Sequence, residues 1–129
     1  MAFIYLLLAL GHMATIYWLS SLPGDVDAET AGLAGIIAWT PPAVQNLLHV
    51  PVYGLLAWLW YRTLTASHIR HLHALLAALL LAAGYGVFDE WHQLHVPGRY
   101  ASLTDMALNG AGVMLALWWL HRRNHRAGG

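Results

Sequence analysis

Four apolar stretches divide this chain: Ala2–Leu19, Val44–Leu64, His73–Trp91 and Leu103–Leu120. At 1.5 Å of rise per residue, each is about the length needed to cross roughly 30 Å of hydrocarbon. Nothing else in the sequence constrains the fold as tightly. Backbone inside lipid must satisfy its own polar groups, and a stretch of this length does so as a helix. The 129 residues are 59% apolar and 9% charged. A soluble domain has about a quarter of its residues charged and could not hide so much apolar surface at this size. The expected fold class is all-α, a polytopic membrane protein built as a four-transmembrane-helix bundle. Pro51 falls inside the second stretch. From Pro51 to Leu64 there are only fourteen residues, about 21 Å of helix. The second helix must therefore start before His49, and Pro51 frees the carbonyl of Leu47 and is expected to kink it.

The basic residues orient the bundle. Arg62 and Arg70 lie between the second and third stretches, and Arg122, Arg123 and Arg126 follow the fourth. Five of the six Arg thus share one side, which the positive-inside rule makes cytoplasmic, with both termini inside. Asp25, Asp27 and Glu29 fall in the opposite loop. Trp18 and Trp91 mark the outer interface, and Trp58, Trp60, Trp118 and Trp119 the inner one. No Lys or Arg precedes the first stretch and no small-x-small cleavage site follows it, so it reads as a retained first helix. The expected organisation is one membrane domain, residues 1–121, and a basic cytoplasmic tail, residues 122–129. In the long outer loop, Leu33, Ile36 and Ile37 recur at helical spacing after an acidic start, the pattern of a short helix lying in the interface.

The polar residues at membrane depth carry the functional information, because ionisable groups there are costly and face a bundle interior or a wet cavity. His49 and Tyr53 are four apart on the second helix and share a face. Asp89, Glu90, His92, Gln93 and His95 close the third. Pro97-Gly98, a type II turn pair, leads to Arg99. Ser102, Asp105 and Asn109 open the fourth helix at spacings of three and four. By the topology above, all converge on the outer side. The candidate ligand-binding residues are His49, Tyr53, Asp89, Glu90, Gln93, Arg99, Ser102, Asp105 and Asn109.

Each also has a structural explanation. Ser102 and Asp105 fit a capping box. Arg99 could neutralise Glu90 or Asp89. His49 could bond a carbonyl loosened by Pro51. Asn109 could bond a neighbouring helix, with Gly110, Gly112, Gly84 and Gly86 permitting close approach. His92, His95 and Glu90 form a secondary metal reading, although HExxH is absent. His68, His71, His73, His121 and His125 read as interfacial. No cofactor motif, Gly-rich phosphate loop or GxSxG is present, and the lack of Cys excludes disulfides and thiol nucleophiles. A net charge of zero gives no reason to expect a nucleic-acid partner.

The ordered runs Leu48-His49-Val50-Pro51-Val52-Tyr53-Gly54-Leu55, Gly86-Val87-Phe88-Asp89-Glu90-Trp91-His92-Gln93, Val96-Pro97-Gly98-Arg99, Ser102-Leu103-Thr104-Asp105 and Asn109-Gly110-Ala111-Gly112 resemble the VanZ-like family. Ser20-Ser21-Leu22-Pro23 is similar to the family's segment after the first helix. One departure is clear: where the family often has Asp-Lys before the His, this chain has Gln45-Asn46-Leu47-Leu48. The resemblance implies a multi-pass protein of the bacterial cytoplasmic membrane with a link to the cell envelope and to teicoplanin resistance.

Three functions are compatible with these residues. The first is a binding protein, not an enzyme, with an outward-facing polar pocket for a membrane lipid or a lipid-linked cell-wall intermediate. There Arg99 would hold an anionic group by its planar fork. The second is a hydrolase or transferase on a lipid-linked substrate, with Glu90 or Asp105 as acid or base and His49 as partner. The third is a structural subunit associating with other membrane proteins.

Overall fold

The computed structural model describes residues 1–24, 32, 35 and 42–127. Among them all regular structure is helical: α1 (Ala2–Ser20), α2 (Pro42–Ala66), α3 (His71–Gln93) and α4 (Leu103–Ala127). Leu33, Ile36 and Ile37, which carry the expected interfacial helix, lie outside the described residues. Each helix begins and ends within a few residues of its apolar stretch. The exception is α4, which continues through the basic residues to Ala127, so the expected tail is largely a helical extension.

α2 is the central element. It packs on α4 most extensively, then on α3 and α1, while α1 meets α3 only lightly. Its length, 25 residues, corresponds to about 37 Å, and the helix runs unbroken through Pro51. α1, α3 and α4 are each long and apolar enough to cross a membrane. α2 is not among them, since Gln45, Asn46, His49 and Arg62 lower its hydropathy. A helix ringed by three others meets less lipid and needs less apolar surface.

The bundle is apolar outside and partly polar within. Leu80 is 74% exposed, and Leu7, Leu8, Leu76, Val87, Met114 and Leu115 are also exposed, whereas Asp89, Glu90, Gln93 and Asn109 are buried. A soluble fold would reverse this arrangement; lipid favours it. Small residues make the close packing. Ala74, Ala78, Ala82 and Gly86 of α3 form one buried row at i, i+4 spacing. On α2 and α4, a Cβ at Gly112 would collide with the Val50 carbonyl, and one at Gly54 would come within 3.2 Å of the Gly112 carbonyl. Gly84 and Gly110, by contrast, face open space, so only Gly86 and Gly112 of the four expected packing glycines act as such.

Contacts fix which ends meet. Arg62 Nη2, near the end of α2, donates to the Tyr5 hydroxyl at 2.7 Å. Tyr61 and His71 are bonded at 2.9 Å, and His71 approaches His121 at 3.4 Å. The start of α1, the end of α2, the start of α3 and the end of α4 therefore share one end, alongside Arg62, Arg70, Arg122, Arg123 and Arg126. His71 and His121 touch there.

Candidate functional site at the opposite end

The site is assembled at the end opposite the five arginines. It begins with the last turns of α3, where the row of small residues gives way to Glu90 and the adjacent face carries Asp89 and Gln93. These three are 1%, 2% and 5% exposed. Asp89 points toward α2: its Oδ2 accepts from the Tyr53 hydroxyl at 2.9 Å and, at 3.5 Å, from Gln93 Nε2. Glu90 points toward α4: its Oε2 accepts the Ser102 amide at 2.9 Å. Adjacent carboxylates thus serve two different interfaces, as residues 100° apart on a helix must.

Ser102 also caps α4, its Oγ accepting the Asp105 amide at 3.3 Å. The capping box expected from Ser102 and Asp105 is half realised. Ser102 provides the cap, but its own amide is taken by Glu90 from another helix. Nearly two turns into α4, Asn109 Oδ1 accepts His49 Nδ1–H at 2.7 Å. His49 therefore does not bond a carbonyl loosened by Pro51; it ties α2 to α4. Gly86 makes room for this, since a Cβ there would lie 3.3 Å from Tyr53 and 3.4 Å from Asn109.

Leu94–Ser102 folds back over the helix ends. Val96-Pro97-Gly98-Arg99 is a type II turn, with the Arg99 amide donating to the Val96 carbonyl at 3.1 Å and Gly98 at φ 70°, where glycine is favoured. The turn docks on the end of α1. Gly24 donates to the Pro97 carbonyl at 3.0 Å, and Arg99 Nε donates to the Leu22 carbonyl at 3.1 Å. Arg99 thus anchors the loop rather than neutralising Asp89 or Glu90; among the described residues it makes no ion pair with either.

These elements enclose a cavity of about 260 Å3 bordered by Ile16, Leu19 and Ser20 of α1, Gln45, Leu48, His49, Val52 and Tyr53 of α2, Asp89 and Gln93 of α3, and Arg99. Of the nine candidates, five therefore line one cavity: His49, Tyr53, Asp89, Gln93 and Arg99. Glu90, Ser102, Asp105 and Asn109 lie outside this wall. Glu90, Ser102 and Asp105 share the α3–α4 junction, and Asn109 joins the wall through His49. Among the described residues Asp89 Oδ1, Glu90 Oε1 and Asn109 Nδ2 are buried without a hydrogen-bond partner, and buried polar groups of this kind ordinarily find partners.

The residues suggested for a metal do not gather. Among the described residues no group of three His, Asp or Glu side chains could hold an ion. Glu90 faces the core, while His92 Nε2–H donates to Ser21 Oγ at 2.9 Å, whose own proton goes to the Tyr17 carbonyl at 2.7 Å. His95 Nδ1–H caps the Trp91 carbonyl at 3.0 Å.

Sequence reasoning did not single out the α1 side of the site. His12 Nε2–H donates to the Val52 carbonyl at 3.0 Å, fastening α1 beside the cavity. A lone imidazole in an otherwise apolar first helix was the available signal. Gln45 stands in the segment that departs from the resembling family, and it borders the cavity.

Neither the search of curated proteins nor that of solved structures returned a match. The family model described as VanZ/LLP1, however, matches residues 3–123. That stretch takes in all five runs of site residues and nearly the whole chain, and the protein is a member of the VanZ/LLP1 family.

Proposed function

We propose that this protein sits in the bacterial cytoplasmic membrane with all four helices spanning it, both termini inside, and binds the headgroup of a membrane lipid or lipid-linked cell-wall intermediate in an outward-facing pocket. The observation that carries the reading is a cavity lined by polar His49, Tyr53, Asp89, Gln93 and Arg99 together with apolar Ile16, Leu19, Leu48 and Val52. Its volume, about 260 Å3, is just under the range for whole drug-sized ligands. It suits the polar end of an amphiphile whose chains remain in lipid. Orientation is supported by the far end, where Arg62 lies over Tyr5, Arg122 over Trp118 and Arg123 over Trp119. Such aromatic and basic pairs belong to a cytoplasmic interface.

Binding is favoured over catalysis. Glu90 and Asp105, the acid–base candidates, do not border the cavity, and His49 commits Nδ1 to Asn109. The family's name supports a link to glycopeptide resistance, which capture of a cell-wall lipid intermediate would explain. The test is native mass spectrometry of protein extracted with its lipids. Wild-type protein is expected to retain a polar lipid that Arg99→Ala loses at unchanged helicity. Equal retention by both would overturn the reading.

A further inference from the structure

The polar wall of the cavity carries two opposite charges that are not spent on each other. Arg99 borders it with Nε engaged by the Leu22 carbonyl; among the described residues its two Nη groups have no hydrogen-bond partner. Asp89 borders it with Oδ2 engaged by Tyr53 and Gln93 and Oδ1 unpartnered. Asp89 is 2% exposed, so bulk water does not satisfy that oxygen. A buried carboxylate oxygen left unanswered is costly, and half-buried Arg99 is the cation that borders the same cavity.

Accepting the headgroup reading above, on which this step rests, we infer that the pocket selects a zwitterion: an anionic group for Arg99 joined to a primary ammonium for Asp89, as in phosphoethanolamine. The alternatives fail on one partner each. A purely anionic headgroup answers Arg99 but brings negative charge beside Asp89. A quaternary ammonium carries the right charge but has no N–H to give Oδ1. A neutral sugar can bond to both but compensates neither charge. The ammonium end sits deeper, against α2 and α3, and the anion sits under the Val96–Arg99 turn. That order places the anion nearer the outer surface, where acyl chains must leave the pocket.

The experiment is a titration of purified wild-type protein in detergent with short-chain phosphatidylethanolamine, phosphatidylglycerol and phosphatidylcholine, and with free phosphoethanolamine. Phosphatidylethanolamine is expected to bind at least about tenfold more tightly than phosphatidylglycerol or phosphatidylcholine. That ratio corresponds to about 1.4 kcal/mol, one charge-assisted hydrogen bond. Free phosphoethanolamine binding as well as the lipid would identify a soluble zwitterion as the source; weaker binding would identify the lipid. Asp89→Asn is expected to bring phosphatidylethanolamine and phosphatidylglycerol to near parity. Arg99→Gln should weaken both alike, and it removes no core contact should Asp89→Asn misfold. Phosphatidylglycerol matching or exceeding phosphatidylethanolamine on the wild type would overturn the zwitterion and leave the headgroup reading standing. Failure of every amphiphile to bind would overturn both.

Discussion

At the scale of single residues, the site shows side chains with two duties. Tyr53 is a core residue, 1% exposed, and also the donor to Asp89. Tyr53→Phe keeps its packing but removes that donor, and should destabilise the protein by about 1–3 kcal/mol. Chemical unfolding in detergent would measure this, and an unchanged midpoint would mean that Asp89 finds another partner. The glycines give a paired prediction. Gly112→Ala drives a methyl into the Val50 carbonyl and should cost about 1–3 kcal/mol. Gly110→Ala, with open space around it, should be near neutral or slightly stabilising. Ser102 as a cap and Pro97-Gly98 as a type II turn were both legible in the sequence, because local backbone chemistry decides them. The partners of His49 and Arg99 were not. Each had several acceptors within reach, and only the helix crossing chooses Asn109 for one and the Leu22 carbonyl for the other.

At the scale of elements, helix ends were legible to within a few residues because apolar stretches stop where polar clusters begin. Which face of each helix turns inward was harder to read. In water an amphipathic stripe announces the buried face, but lipid-facing and core-facing positions here are both apolar. They differ instead in size: Ala74, Ala78, Ala82 and Gly86 pack inside α3 while Leu76 and Leu80 face out. The α2–α3 connection holds a further feature. His68 sits at φ 63°, with Ile69 N–H bonded to the Leu64 carbonyl and His68 N–H to that of Thr65. This is a Schellman cap with a histidine where glycine is usual. His68→Gly should therefore stabilise the protein by about 1 kcal/mol, seen as a raised unfolding midpoint; a lowered midpoint would show that the imidazole contributes more than its backbone conformation costs.

At the scale of the whole molecule, the chain is a bundle with two unlike ends. One gathers five arginines with Tyr5, Trp58, Trp118 and Trp119; the other gathers Asp89, His49 and Arg99 around a cavity, with Glu90 and Asp105 beside it at the α3–α4 junction. That division was legible from charge and order alone. The split of the polar residues into a cavity wall and an α3–α4 junction was not, because Asp89 and Glu90 are neighbours in sequence yet face different helices. The central claim is that the cavity end faces away from the cytosol. The chain has no cysteine, and Tyr100, beside the Arg99 turn, is 83% exposed. Labelling a Tyr100→Cys variant in intact cells with a membrane-impermeant maleimide tests the claim directly. Full labelling before permeabilisation is the predicted result. Labelling only after permeabilisation would place the cavity inside the cell and contradict the account.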